Sequence, residues 1–429
     1  MLQTIRNAWK IEELRRKMLF TLFILLLYRI GNSVPVPYVD IDLLSSYFAS
    51  LQNTVLGLYN IMSGGAFSTA TIFALSIQPY INASIIIQLL CIAIPALERL
   101  QKEGGEEGKK KIASITRYST VGLGLLQGLA YYLLIRNNNL LSESGVWQGI
   151  VIVATFTAGS ALLMWMGEQI TEFGIGNGIS IILFASIVSR FPRSLITMFT
   201  NLSAGTLSWY VLVLILLGAL ALIVLIVIVD NAERRIPVQY SKRVVGRKMY
   251  GGQSTHLPMK VSMSGVMPII FAQSIASLPA TFAAFFTPKE GTFWYSFLEA
   301  VDTNTWLYAI VYFLLILFFS YFYATVQFNP IEIANNLKKN GGFIPGFRAG
   351  KPTSDFIQKV LNKITLFGAI YLGIMAVTPI LISKFSVQAS NTGISLGGTS
   401  IIIVVGVALE TVQALESQML MRHYKGFLE

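Results

Sequence analysis

The side chains that carry most protein chemistry are scarce in this 429-residue chain, and they are scattered. There are two histidines, His256 and His423, and one cysteine, Cys91. No Cys/His cluster has metal-ligand spacing, and no Ser-His-Asp set can be assembled. Gly174-Ile175-Gly176-Asn177-Gly178 has the look of a phosphate-binding turn, but it precedes an apolar span instead of following a strand. Gly350-Lys351 falls short of a phosphate loop, because Pro345 and Pro352 occupy its first glycine and its Ser/Thr. The expectation is a protein that is no enzyme and needs no cofactor or metal. Cys91 reads as a small buried apolar residue.

What remains is a set of aliphatic residues on segments broken by proline or glycine. Ile77 and Ile81 lie one helical turn apart around Pro79, and Ile179 and Leu183 one turn apart just after the glycine run. Ile270 follows Pro268, and Ile403 lies in the last apolar stretch. Taken singly, each reads as a packing or lipid-facing residue.

The elements that hold these residues are set by hydropathy. The chain is 54% hydrophobic and only 12% charged, about half the charge of a soluble domain. Ten stretches approach the roughly 20 residues a bilayer core requires: 18–36, 72–97, 112–135, 146–166, 175–191, 207–229, 261–286, 305–328, 364–383 and 396–419. The fifth is the shortest and is rich in glycine. The net charge of +11 suggests nucleic acid until it is mapped onto these spans. Only Arg136, Arg190, Arg193, Lys289 and Lys384 fall on the side opposite the N-terminus, and Arg29 lies within the first span. The rest of the 32 Lys and Arg share the N-terminal side. Positive charge marks the cytoplasmic face, so both termini are expected there, with no cleaved signal.

Several connecting segments carry their own patterns. Leu2, Ile5, Trp9 and Leu14 could form an apolar stripe on a short interfacial helix, or the segment 1–17 is a simple basic flank. Residues 55–71 are uncharged, half apolar and rich in glycine, which suggests a re-entrant segment lining a cavity. Between the sixth and seventh spans, Ile236, Val238 and Tyr240 alternate against Leu257, Met259 and Val261 around a basic tip, the pattern of a hairpin. The run starting at Pro79 in the second span aligns with that starting at Pro268 in the seventh. Two five-span halves, 18–205 and 206–419, would then run in opposite directions, an inverted repeat.

On residues alone two functions stay open, a passive channel and a secondary transporter. Ion-coupled transport usually places ionisable groups inside spans. Here only Arg29, Glu168 and Glu410 qualify, each toward a span end, and their plain reading is interfacial or packing. Long basic loops at about 230–260 and 328–363 suit a docked partner, which favours the channel.

The strings Gly167-Glu168-Gln169-Ile170-Thr171-Glu172-Phe173-Gly174-Ile175-Gly176-Asn177-Gly178-Ile179-Ser180 and Pro79-Tyr80-Ile81-Asn82-Ala83-Ser84-Ile85-Ile86-Ile87-Gln88-Leu89-Leu90 closely resemble those of the SecY family. So do Gln253-Ser254-Thr255-His256-Leu257-Pro258, Phe328-Asn329-Pro330 and Phe343-Ile344-Pro345-Gly346-Phe347-Arg348. The match runs from the first span to the last. Asn82 stands where many members carry Ser, and Leu183 where Ile is common.

The resemblance implies an all-α integral membrane protein of ten transmembrane helices, in two inverted halves around an hourglass pore that conducts unfolded polypeptides and releases apolar segments sideways. It makes Ile77, Ile81, Ile179, Leu183, Ile270 and Ile403 the pore ring. Its plug is the region 55–69, including Leu58, Asn60, Ile61, Met62, Gly64, Gly65 and Phe67. Asn82, Gln127 and Ser274 are its lateral-gate contacts, and Arg243, Arg247, Lys248 and Arg348 its docking residues. It implies SecE behind the two halves, SecG at the periphery, and the SecA motor or the ribosome, with its RNA, at the loops. Signal-sequence-bearing polypeptides would be the cargo and the bacterial plasma membrane the site, with a short tail at 420–429.

Overall fold

The computed structural model describes residues 2–50, 55–143, 145–205, 208–240, 243–245, 248–250, 254–262, 265–279, 297, 305–385 and 397–425. Short helices α1 (Leu2–Lys10), α3 (Ile41–Ser50), α4 (Val55–Met62), α6 (Pro95–Lys102) and α13 (Pro330–Lys339) flank the long ones. The others are α2 (Glu12–Gly31), α5 (Gln78–Ala93), α7 (Gly105–Asn137), α8 (Val146–Phe173), α9 (Gly178–Ser203), α10 (Trp209–Asp230), α11 (Met267–Ala276), α12 (Trp306–Gln327), α14 (Lys351–Phe385) and α15 (Gly397–Lys425).

Among the described residues seven helices are long and apolar enough to cross a bilayer: α7, α8, α9, α10, α12, α14 and α15. The pair α5 and α6 forms an eighth candidate, bent by 105° where Ile94 turns extended before Pro95. The expected first span corresponds to α2, whose N-terminal turns carry Glu12, Glu13, Arg15, Arg16 and Lys17. The expected seventh corresponds to α11, ten residues long, and 280–286 of that expectation lie outside the described residues. The fifth span is not short. Asn177 Oδ1 caps α9 by accepting from Ile179 N–H at 3.1 Å and Ser180 N–H at 3.4 Å, and the helix continues past Pro192 to Ser203. The glycine run is therefore a helix start, with Asn177 as its cap.

The helices of each half pack among themselves, α5 on α7, α7 on α8, and α12 on α11 and α14. The halves meet where α5 touches α11 and where α9 touches α10 and α15. Close approaches depend on absent side chains. A Cβ at Gly159 of α8 would stand 2.0 Å from the Ile72 carbonyl oxygen. Gly159→Ala is expected to lower the thermal midpoint of the detergent-solubilised protein by several degrees. It forces backbone apart at a packed contact, typically about 1–3 kcal/mol. An unchanged midpoint in a fluorescence-detected melting scan would show that this contact relaxes freely.

The loop between α10 and α11 is a hairpin, as its alternation predicts. Strand β1 (Glu233–Tyr240) pairs antiparallel with β4 (Ser254–Lys260), with Ile236 opposite Leu257, and β2 (Arg243–Val245) pairs with β3 (Lys248–Tyr250) nearer the tip. The structure adds a strand that no sequence pattern signals. Gly342–Phe343 (β5) pairs with the other edge of β1, so the two long basic loops form one unit. Ile236, Val238, Met259, Ile344, Ile357 and Leu361 fill its core. The N-terminal stripe is shorter than expected. The chain breaks at Ile11 and Leu14 belongs to α2, where it packs with Ala8, Ile175 and Leu415, while Ile5 and Trp9 stay exposed one turn apart on the short helix α1.

Candidate functional site

The prolines aligned in the sequence occupy equivalent places. Pro79 is the second residue of α5 and Pro268 the second of α11, where a missing N–H costs no helical bond. Each helix therefore starts abruptly, and Ile81 and Ile270 sit two residues beyond each proline. Ile77, Ile81, Leu183, Ile270 and Ile403 are all buried, none more than 3% exposed, and share one apolar cluster. Ile179 is partly buried and packs against the same cluster. Six aliphatic residues from α5, α9, α11, α15 and the turn before α5 thus belong to one apolar core, although they are spread over more than 300 positions of sequence. These six side chains offer no donor, acceptor or charge. An aliphatic ring of this kind can exclude ions by dewetting and imposes no hydrogen-bond pattern on a passing chain.

Residues 55–71 close on this cluster from one side. After α4 the backbone turns through left-handed conformations at Gly64 (φ +68°) and Gly65 (φ +95°), which glycine adopts without strain. Asn60 is buried and ties the turn together. Its side-chain oxygen accepts from Ser68 N–H at 3.0 Å, and its carbonyl from Gly65 N–H at 2.8 Å. Met62 belongs to the cluster itself, Ile61 is half-buried, and Leu58 lies on α4, its side chain outside what is described. The far end is anchored elsewhere. Phe67 stacks on Tyr131 of α7, ring centroids 4.3 Å apart, and the Tyr131 hydroxyl donates to the Phe67 carbonyl. The base is held to the first half through the Ser63 carbonyl, which accepts from Asn32 Nδ2 at 3.4 Å and from the Tyr28 hydroxyl at 3.5 Å.

One polar contact between the halves involves a residue that sequence reading missed. Ser274 of α11 donates to Gln78 Oε1 of α5 at 3.4 Å. Gln78 Nε2 in turn donates to Met62 Sδ at 3.0 Å. Gln78 is buried, and one side chain so links α5, α11 and the turned segment. Asn82, one turn further along α5, is buried, and Gln127 is half-buried on α7. The hydrogen bond of Ser274 goes to neither. The available signal was a glutamine inside an apolar span, immediately before the proline.

On the loop unit, Arg348 is exposed at a tip between Gly346 (φ +87°) and Gly350 (φ +105°). Phe347 beside it packs on Phe356 of α14 at 4.3 Å, and the Arg348 carbonyl accepts from Thr353 Oγ1 at 2.8 Å. The backbone is fixed while the guanidinium projects. Arg243 and Lys248 lie on β2 and β3, and Arg247 lies outside the described residues. Of the span carboxylates, Glu168 pairs with Arg117 Nε at 2.9 Å, joining α8 to α7.

Comparison with known proteins gives the family and the fold. A family model described as SecY matches residues 71–412. The protein translocase subunit SecY of Streptomyces scabiei is 44% identical over 444 residues, with 100% of both chains covered. Among solved structures, one described as a protein-conducting channel superposes with a TM-score of 0.64 at 16% identity, covering 95% of this chain and 93% of that one. Sec61 in a canine ribosome-channel complex from the endoplasmic reticulum superposes with a TM-score of 0.60 at 14% identity, covering 95% and 93%.

Proposed function

Because the chain belongs to the SecY family, we propose that its apolar cluster is the constriction of a channel that passes unfolded secretory polypeptides. The protein is a multi-pass membrane channel subunit and not an enzyme. The observation that carries the assignment is the convergence of Ile77, Ile81, Ile179, Leu183, Ile270 and Ile403 on one cluster, with Met62 packed into it. The ten spans form two inverted halves. Residues 55–69 are the plug, and its seat below an aliphatic ring keeps the resting pore closed to ions.

The seam between α5 and α7 on one half and α11 and α12 on the other is the lateral gate, with Gln78, Asn82, Gln127 and Ser274 as its polar side chains. Opening there lets a segment choose between water and lipid. A charge at the membrane centre costs about 2.5–3.5 kcal/mol while each Leu or Ile gains a few tenths, so summed hydropathy decides the exit. The channel has no energy source of its own. The unit carrying Arg243, Arg247, Lys248 and Arg348 docks SecA or the translating ribosome, whose RNA phosphates suit arginine. SecE clamps the halves, SecG sits at the periphery, and the bacterial plasma membrane holds the assembly with both termini cytoplasmic.

The test is protease protection. With the chain and SecE in liposomes, SecA, ATP and a radiolabelled precursor should yield ATP-dependent protected precursor. Failure with SecE bound and the fold intact would return the transporter reading, to be followed by small-molecule uptake assays. In the same assay Arg348→Glu is expected to cut SecA-driven translocation severalfold with no change in melting temperature, since its side chain is exposed and its backbone bonds are retained. Unaltered rates would remove Arg348 from the docking surface.

A further inference from the structure

The hairpin re-enters the membrane at a joint with its own chemistry. Asp230 ends α10, Lys260 ends β4, and Gly265 and Val266 lead into α11. Across the joint lies α15, where Gly406 and Glu410 are one turn apart on the same face. A Cβ at Gly406 would stand 3.2 Å from Val266 Cγ2, and a Cβ at Gly265 would stand 2.2 Å from Glu410 Oε1. Gly265 also has φ +56°. Two glycines therefore let α15 close around the residues that start α11.

Helix α11 has no side-chain N-cap of its own, and Pro268 supplies no donor. Its positive N-terminal end requires an acceptor from outside. The Glu410 carboxylate lies at this end, with its Oε1 in the space that a side chain on Gly265 would fill, next to the Val266 backbone N–H. Lys260 completes the joint. Its ammonium donates to Gln413 Oε1 on α15, one turn beyond Glu410.

We infer that Glu410 is a positioning residue that fixes the first turn of α11, and with it Ile270, to the helix that carries Ile403. The inference rests on the channel reading above and deepens it. The two ring residues of the second half move as one body, so a partner that displaces the hairpin at Lys260 shifts both together.

Hydrogen exchange of the full chain in nanodiscs, read by mass spectrometry with residue-level fragmentation, tests this. Glu410→Ala is expected to speed exchange at Val266, Ile269 and Ile270 about tenfold, the loss of about 1.4 kcal/mol of local protection. Protection elsewhere in α15 and in α12 should hold. Glu410→Gln, which keeps an acceptor oxygen, should restore most of the protection, a rescue that mere bulk at position 410 does not provide. Unchanged exchange in Glu410→Ala, or loss spread evenly over the second half without rescue by Gln, overturns the positioning role. The failures are separable. A wild-type protein that protects no precursor, yet shows the local exchange pattern, removes the channel reading alone.

Discussion

Proteoliposomes carrying Ile81→Gly together with Ile270→Gly are expected to leak ions at rest, with a conductance on the order of tenfold or more above wild type, while still translocating precursor. The two residues occupy matching positions after Pro79 and Pro268, one from each half, and both are buried in the same cluster. Removing both side chains opens a gap on opposite sides of one constriction, and the remaining walls no longer exclude water. Nothing in the double mutant touches the hairpin or Arg348, so motor-driven passage should continue. Truncations of this kind cost about 2–5 kcal/mol each in packed cores. Retained ATP-dependent translocation therefore doubles as the proof of folding, and Ile81→Ala with Ile270→Ala is the gentler substitute if it is lost. A resting conductance equal to wild type in a translocating double mutant would falsify the ring.

How much of this was legible in the sequence depends on the range of the interaction. Hydropathy is a property of contiguous residues, so the spans appear as apolar runs, yet their ends do not. Helix α14 begins at Lys351, well before the apolar stretch at 364, because its first turns pack on the loop core through Ile357 and Leu361 and not on lipid. Helix α9 runs through Pro192 and past Arg190 and Arg193, which ended the apolar count early. Period-two alternation revealed β1 and β4, since the pattern spans seven or eight residues. The two-residue β5 has no period at all and exists only because β1 offers it an edge. Ile77 and its partners could be seen as aliphatics at broken helix starts, but their convergence is tertiary and had to be implied by family resemblance. Gln78 and Tyr131 escaped for the same reason. A buried polar group is meaningful only with its partner, and the partners Ser274, Met62 and the Phe67 carbonyl lie between 16 and 196 positions away, with no sequence pattern to mark them.

Gln78→Leu is expected to favour the open gate. The Gln78 side chain is bonded both across the seam between α5 and α11 and to the proposed plug, through Ser274 and Met62. Hydrogen bonds between membrane helices are worth about 0.6 kcal/mol each, and thioether sulfur is a weak acceptor, so the pair contributes at most about 1.2 kcal/mol. That shifts a closed-to-open equilibrium about sevenfold. Leucine fills the volume without leaving a second buried polar atom at position 78, so the fold should persist. The proposed plug stays rooted through Phe67 on Tyr131 and through the Ser63 carbonyl on Asn32, so the resting seal is expected to stay largely intact. The effect should therefore be greatest for precursors that open the gate poorly. A signal sequence weakened by one central charge should be translocated severalfold faster by Gln78→Leu than by wild type, while a strong signal gains little, because its opening is already favourable. Equal rates for the weakened signal in both proteins would mean that the seam is held by packing between α5 and α11 alone. A gain that is as large for the strong signal as for the weak one would place Gln78 in the rate of passage and not in the gate.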